Sequence, residues 1–226
     1  MLRLRKLFCA LLALMILTGH THAAGRVALS FDDGPSGDNT EALLDMLAAR
    51  NVHATFFLCG YRIEAYPDQC AHLARAGHEL GIHGYSHGCF DAMSPAALRA
   101  ELDITARLIR ENAGVCPTLV RPPCGAWNDG VCGIARDAGL SVILWSVDPE
   151  DWRCRDADAV VRRVCGQVCD GSVILLHDMY QSSVDAAARI IDRLRAEGYE
   201  FLTVSELARA VGVVLNPGEV YRNFPS

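Results

Sequence analysis

A parallel β-sheet alternating with helices, α/β in class, is what the sequence predicts, and three observations carry it. Short β-branched or apolar runs alternate with longer amphipathic segments seven times along the chain. Helix-start and helix-stop residues fall between the two kinds of segment, and no Ser/Gly linker, low-complexity run or internal repeat breaks the beat. The length of 226 residues, 51% hydrophobic and 21% charged, suits one domain or two small ones with a sizeable core. Strict β-α alternation builds a parallel sheet, either open and doubly wound or closed as a barrel of the TIM type.

The first segment stands outside that pattern. Arg3, Arg5 and Lys6 precede the apolar run Leu7 to Leu17, and Thr21-His22-Ala23 places small residues where a signal peptidase reads. Residues 1–23 are therefore expected to be a signal peptide cleaved near Ala23, leaving 24–226 as the mature domain with a core of about 26–211. The apolar run is about 11 residues, short of the roughly 20 a spanning helix needs, so no stable membrane insertion is expected after cleavage. An exported protein, periplasmic or secreted, is the expectation.

The strands follow in order at Arg26 to Phe31, Ala54 to Leu58, Glu79 to His83, Thr118 to Arg121, Ser141 to Val147, Ser172 to Leu176 and Tyr199 to Val204. Helical patterns lie between them at Asn39 to Ala49, Ile63 to Ala76, Pro95 to Ala113, Asn128 to Ala138, Asp156 to Val168 and Val184 to Glu197, with a last one from Glu206 to Val211. Ser94 before Pro95 reads as an N-cap followed by an N1 proline, Ser183 and Ser205 are further N-cap candidates, and Gly77, Gly114 and Gly139 sit where helices should stop. Asn216 to Ser226 reads as a short tail.

Charge and cysteine content narrow the partners and the compartment. Loss of three positive charges with residues 1–23 takes the formal charge from -6 to -9. No stripe of Lys and Arg remains, so nucleic acid is not an expected partner. Nine of the ten cysteines lie beyond the signal segment, at 59, 70, 89, 116, 124, 132, 154, 165 and 169. In an oxidising compartment disulfides are the default, and an odd count leaves one thiol over. A zinc ribbon is disfavoured because no C-x2-C pair occurs.

Both candidate architectures carry function beyond the carboxyl ends of the strands. Five of the seven predicted strand ends bear residues suited to chemistry: SFDDGP (Ser30 to Pro35), HGYSH (His83 to His87), RPPCG (Arg121 to Gly125), DPEDW (Asp148 to Trp152) and LLHD (Leu175 to Asp178). Two His and one carboxylate form the open three-ligand set of a catalytic zinc, which His83, His87 and one of Asp32 and Asp33 can supply. If Asp33 binds the metal, Asp32 can take a proton from water that the metal acidifies. His177 can protonate a leaving group. Arg121 beside Asp32 keeps it ionised, and Asp151 on His177 fixes its tautomer and favours imidazolium. The remaining His53, His72 and His78 read as structural.

In this order the five motifs resemble those of the polysaccharide deacetylase family, the NodB-homology or carbohydrate esterase family 4 domain, and NVHATFFLCG and GHELGIHGYSH are similar to its pattern as well. The match covers roughly Arg26 to Val211. The resemblance implies a single-domain distorted (β/α)7 barrel of the TIM type that removes acetyl groups from sugars with a divalent metal. Zn2+ suits the ligand set, with Co2+ or Ni2+ able to occupy it. It further implies Asp32 as base, Asp33, His83 and His87 as metal ligands, and Arg121 as the residue holding the base. His177 is then the acid with Asp151 as its partner, the Cys124 backbone N–H an oxyanion donor, and Trp152 and Leu175 walls for the acetyl methyl. The expected substrate is a glycan of N-acetylglucosamine, chitooligosaccharide or peptidoglycan. The alternatives are an O-acetyl esterase on a xylan-like polysaccharide or a non-catalytic glycan-binding module. Cys124 departs from the family, which usually carries an aromatic residue there that shapes the substrate groove. A disulfide from Cys124 to Cys132 or Cys154 is the expectation, with an unpaired thiol next.

Overall fold

A computed structural model of the chain describes residues 25–226, so the expected signal segment lies outside the described residues. The first half of the described chain runs β1 (Gly25–Asp32), α1 (Asp38–Ala49), β2 (Thr55–Leu58), α2 (Gly60–Ala65), α3 (Pro67–Arg75), β3 (Glu79–Ile82) and α4 (Pro95–Ala113). Next come β4 (Leu119–Val120), α5 (Asp129–Asp137), β5 (Ser141–Ile143), α6 (Asp151–Cys154) and α7 (Ala157–Gln167). The last part holds β6 (Val173–His177), α8 (Gln181–Ala196), β7 (Tyr199–Leu202), α9 (Val204–Ala210) and β8 (Val220–Tyr221).

Every ladder between these strands is parallel, in the order β6-β1-β2-β3-β4-β5-β8, with β7 on the lower half of β1. The ring closes where the chain beyond β5 meets β6: Val147 bridges Ile174 in parallel, and Leu175 N–H donates to the Val147 carbonyl at 3.0 Å. This is the expected distorted α/β barrel, closed through an isolated bridge rather than a full ladder. The predicted strand over 141–147 is cut short for that reason, since only Ser141–Ile143 stays in register with β4 and β8.

Period-two alternation sorts the side chains. On β1, Leu29 and Phe31 face the helices and join one large apolar cluster with Phe56, Leu58, Ile82, Val120, Val142, Ile174 and Leu176. The intervening positions face the barrel interior, where Ala28, Phe57, Leu119, Ile143 and Val173 form a second cluster. Val204, Leu207 and Ala208 of α9 join that inner cluster, and α9 starts at the beginnings of β2 and β3, where Val204 N–H donates to Thr55 Oγ1 and Ser205 N–H to Glu79 Oε2. The amino-terminal end of the barrel is thereby stoppered, and the polar interior opens at the carboxyl ends of the strands.

Several boundaries differ from the sequence reading. The helix expected over 63–76 is two, broken at Tyr66, because a residue before proline is pushed out of the α region. Ser183 lies inside α8, not at its cap, and Thr203 rather than Ser205 caps α9, through a capping box with Glu206. The segment read as a tail is part of the fold: Val220–Tyr221 pairs with β5, and Phe224 is 2% exposed within the inner cluster.

Candidate active site

The site begins with register. In the β1–β6 ladder Asp32 sits directly opposite His177, so the two side chains enter the carboxyl-terminal opening from neighbouring strands. With Asp33, His83, His87, Cys124, Trp152 and Leu175 they line a pocket of about 410 Å³. Arg121 and Asp151 stand behind it, both fully buried. Every residue singled out from the sequence is therefore in the pocket or in direct contact with a residue that is. Trp145, Asp148 and Tyr180 line it too, and the sequence reading missed them. Trp145 reads as part of an apolar strand, Asp148 opens the DPEDW motif without a role of its own there, and Tyr180 has nothing in its linear surroundings to mark it.

Arg121 organises one wall. Its Nη1 donates to Asp32 Oδ1 at 2.7 Å and to Ser30 Oγ at 2.8 Å, Nε to the Ile143 carbonyl at 3.2 Å and Nη2 to the Leu144 carbonyl at 3.0 Å. The guanidinium also lies over the Phe57 ring, 4.1 Å from its centroid. Burial pushes its pKa down, and the Asp32 carboxylate opposes that shift. One oxygen of Asp32 is thus engaged, while Oδ2 stands toward the pocket, 3.7 Å from His83 Nε2.

Asp33, His83 and His87 form the only group among the described residues whose donor atoms could converge on a metal, all within 4.8 Å of one another. The His83 Nδ1–H donates to the Arg121 carbonyl at 2.7 Å, and because a carbonyl can only accept, Nε2 carries the lone pair that faces Asp33. Asp33 Oδ1 lies 3.4 Å from His83 Nε2 and 3.0 Å from His87 Nε2. It is buried and has no hydrogen-bond donor aimed at it. Burial alone would raise the Asp33 carboxyl, yet the two rings, when protonated, outweigh it through hydrogen bonding and charge and hold the group far below the usual carboxylate range. Asp33 raises the His87 imidazolium in turn, with burial opposing. Orphaned oxygen, fixed tautomer and clustered lone pairs together fit a bound divalent cation.

The opposite wall belongs to His177. Asp151 Oδ1 accepts from His177 Nδ1–H at 2.8 Å, and Oδ2 accepts from the His177 backbone N–H at 2.8 Å and from Ser183 Oγ–H at 2.6 Å. Burial would lower the imidazolium, but the Asp151 contact outweighs it and lifts His177 to about 9. Its Nε2 is left for the pocket. Ser183, which local sequence suggests as a helix cap, is in fact part of this triad.

The expected bridge from Cys124 to Cys132 or Cys154 is not formed, and all nine cysteines of the described residues are free. Cys132 is turned into the core from α5, and Cys154 packs against the same cluster from α6. The side chain that meets Cys124 is instead Cys89. Burial, then Cys89 and the charges of Asp33 and Asp91, push the Cys124 thiol upward.

Three comparisons bear on this geometry. The family model described as "Polysaccharide deacetylase" matches residues 19–143. The peptidoglycan-N-acetylmuramic acid deacetylase PdaC of Bacillus subtilis is 41% identical over 80% of this chain, although the chain spans 38% of that protein's length. The chitooligosaccharide deacetylase of a Bradyrhizobium species is 31% identical, over 88% of this chain and 98% of its own. A solved family 4 acetyl xylan esterase from Clostridium thermocellum, in complex with a cobalt ion, superposes with a TM-score of 0.83 at 32% identity, over 88% of this chain and 99% of that one. A shared fold, motif residues gathered at one mouth and two relatives aligned nearly end to end converge on one assignment: the chain belongs to the polysaccharide deacetylase family.

Proposed function

We propose that the chain is a metal-dependent hydrolase that removes N-acetyl groups from a glycan built of N-acetylglucosamine, a chitooligosaccharide or a peptidoglycan strand. The observation that carries this reading is the pairing of a base and an acid across the β1–β6 register, Asp32 opposite His177, beside the Asp33–His83–His87 donor set. Those three residues would hold the metal, Zn2+ by the character of the donors, with Co2+ or Ni2+ compatible with the same set. When bound there, the metal supplies Lewis acidity, polarising the acetyl carbonyl and making water more acidic.

The chain's own residues account for the rest. Arg121 ties down Asp32 Oδ1 and fixes the carboxylate's orientation, so Oδ2 is the base that takes the proton of the attacking water. The Cys124 backbone N–H, at the mouth of the same pocket, would donate to the oxyanion of the tetrahedral intermediate. His177, imidazolium below about 9, passes its Nε2 proton to the departing amine while Asp151 holds the ring. Trp152 and Leu175 wall the space for the acetyl methyl. Residues 1–23 would be a signal peptide removed near Ala23, delivering the domain over 24–226 to the periplasm or the exterior. N-terminal sequencing of the exported protein reads that cleavage directly.

Asp32→Asn and His177→Ala should each lower acetate release from an acetylated chitooligosaccharide or peptidoglycan fragment by about 10²–10⁴-fold, the usual worth of a general base or acid, with the circular dichroism spectrum unchanged. Full activity in either variant overturns the mechanism. Similarity to an acetyl xylan esterase favours a second reading, attack on O-acetyl groups, and acetate release from acetylxylan alone would select it. No release from any glycan by the metal-replete chain would select a non-catalytic module.

A further inference from the structure

The loops that leave β3 and β4 are neighbours from their first residues. Ile82 pairs with Val120, Arg121 N–H donates to the Ile82 carbonyl at 2.9 Å, and His83 Nδ1–H donates to the Arg121 carbonyl. The first loop carries the ligand His87 and reaches Cys89, and the second turns at Cys124 in the short 3₁₀ segment Pro123–Gly125. Both cysteines are exposed at the rim, and Phe90 and Asp91, just after Cys89, share a cleft with Asn128 and Val131, just after the Cys124 turn, which brings the two side chains into each other's neighbourhood. Each loop also holds a non-glycine residue in the left-handed region, φ 61° at His87 and φ 57° at Cys124. Such a conformation persists only where the surroundings fix it. Here the flanking residues are glycines, Gly88 beside His87 and Gly125 beside Cys124, which add freedom rather than restraint.

We propose that Cys89 and Cys124 form a disulfide across the mouth of the site, a covalent staple that sets the Cys124 backbone N–H in place relative to the loop carrying His87. The functional half of the proposal rests on the reading of that N–H as the oxyanion donor. The other cysteines are placed differently. Cys59, Cys70 and Cys132 are buried, Cys154 and Cys165 pack against the core, and Cys116 and Cys169 precede β4 and β6 at the opposite end of the barrel. Thiol–disulfide exchange needs an accessible sulfur with a second thiol within reach, and the rim pair meets both requirements.

The chemistry balances with a disulfide donor such as oxidised glutathione. One cysteine thiolate attacks the donor, forming a mixed disulfide and releasing one glutathione thiol. The second cysteine thiolate displaces the remaining glutathione. The two cysteines lose two electrons to the donor, and their two protons end on the two glutathione thiols.

The test is bond mapping on the full chain. The protein is equilibrated with oxidised glutathione, quenched with acid, alkylated and cut with chymotrypsin, which can cleave after Leu119 and Trp127 and so separates Cys124 from Cys116 and Cys132. A linked peptide pair holding Cys89 and Cys124, absent from Cys89→Ser, is the expected result. Full alkylation of both, glutathione left on Cys124, or a bond from Cys124 to another cysteine overturns the proposal. In the activity arm, phosphine reduction of the bonded enzyme should lower kcat by about three- to tenfold with a smaller change in KM, less than outright loss of an oxyanion donor. Cys89→Ser should match the reduced enzyme in both redox states. A mapped bond with redox-insensitive kcat overturns the staple's role in alignment. A mapped bond with no acetate release in either state upholds the bond and overturns the deacetylase reading instead.

Discussion

The residues at the mouth of this barrel are held in positions that a freely chosen fold would avoid. Asp33, His87 and Cys124 all have φ between 57° and 75°, which costs of order 1–3 kcal/mol for each non-glycine residue. Arg121 is wholly buried and is tolerable because Asp32, Ser30 and two carbonyls receive its N–H groups. Asp178, next to the acid, is buried with its carboxyl raised to about 7 by that burial, and a Cβ on Gly34 would collide with it, so glycine is required in the turn after Asp33. The His177–Asp151 pair yields a pH prediction. A raised imidazolium is charged below about 9 and neutral above it, so the acid, and the stability the ion pair contributes, are complete below the ordinary 6.5 and lost as pH rises through about 9. Asp151→Asn removes the compensating charge, and the alkaline limb of kcat/KM should move down toward about 6.5. An unmoved limb in the pH profile would show that the limb belongs to another group.

Among the elements, the carboxyl-terminal segment has the least obvious role and the clearest test. After α9 the chain returns to pair Val220–Tyr221 with β5, and Phe224 N–H donates to the Gly171 carbonyl at 2.8 Å while its ring fills the inner cluster. Phe224→Ala should cost about 3–5 kcal/mol, the range for emptying an aromatic site in a closed core, measured by urea denaturation. A change below 1 kcal/mol would mean that the segment packs without stabilising the barrel. Its sequence hid this role, because two strand residues and one aromatic carry no periodicity. The rest of the barrel was legible for the opposite reason: alternating runs such as Val27 to Phe31, the cap at Ser94 and the stop at Gly114 each satisfy a local rule that the tertiary fold also obeys. Site residues were legible where polar groups interrupt an apolar strand end, as at Asp32 and His177. Trp145, Ser183 and the contact of Cys89 with Cys124 were not, since each depends on elements far apart in sequence meeting at the mouth.

Across the whole molecule, the barrel separates stability from chemistry along its axis. Apolar side chains and α9 close one end, whereas the other end gathers buried or half-buried charges whose mutual attraction is incomplete. Asp33 Oδ1, buried without a hydrogen-bond donor, marks where the remaining stabilisation should come from. A cation that binds the folded chain and not the unfolded one adds RT ln(1 + [L]/Kd), about 2.7 kcal/mol when free metal is at 100 times its Kd. For a chain of this size that corresponds to a rise of about 5–11 °C in Tm. Zinc added to chelator-treated protein should produce this shift in a thermal scan, and His87→Ala, which removes the most exposed of the three donors, should abolish most of it while leaving the metal-free Tm within a few degrees. The metal-free comparison matters, because a variant that merely loosens the fold would lower both values together. Equal zinc shifts in the two proteins would place the cation elsewhere on the chain and separate the fold's stability from the Asp33–His83–His87 cluster.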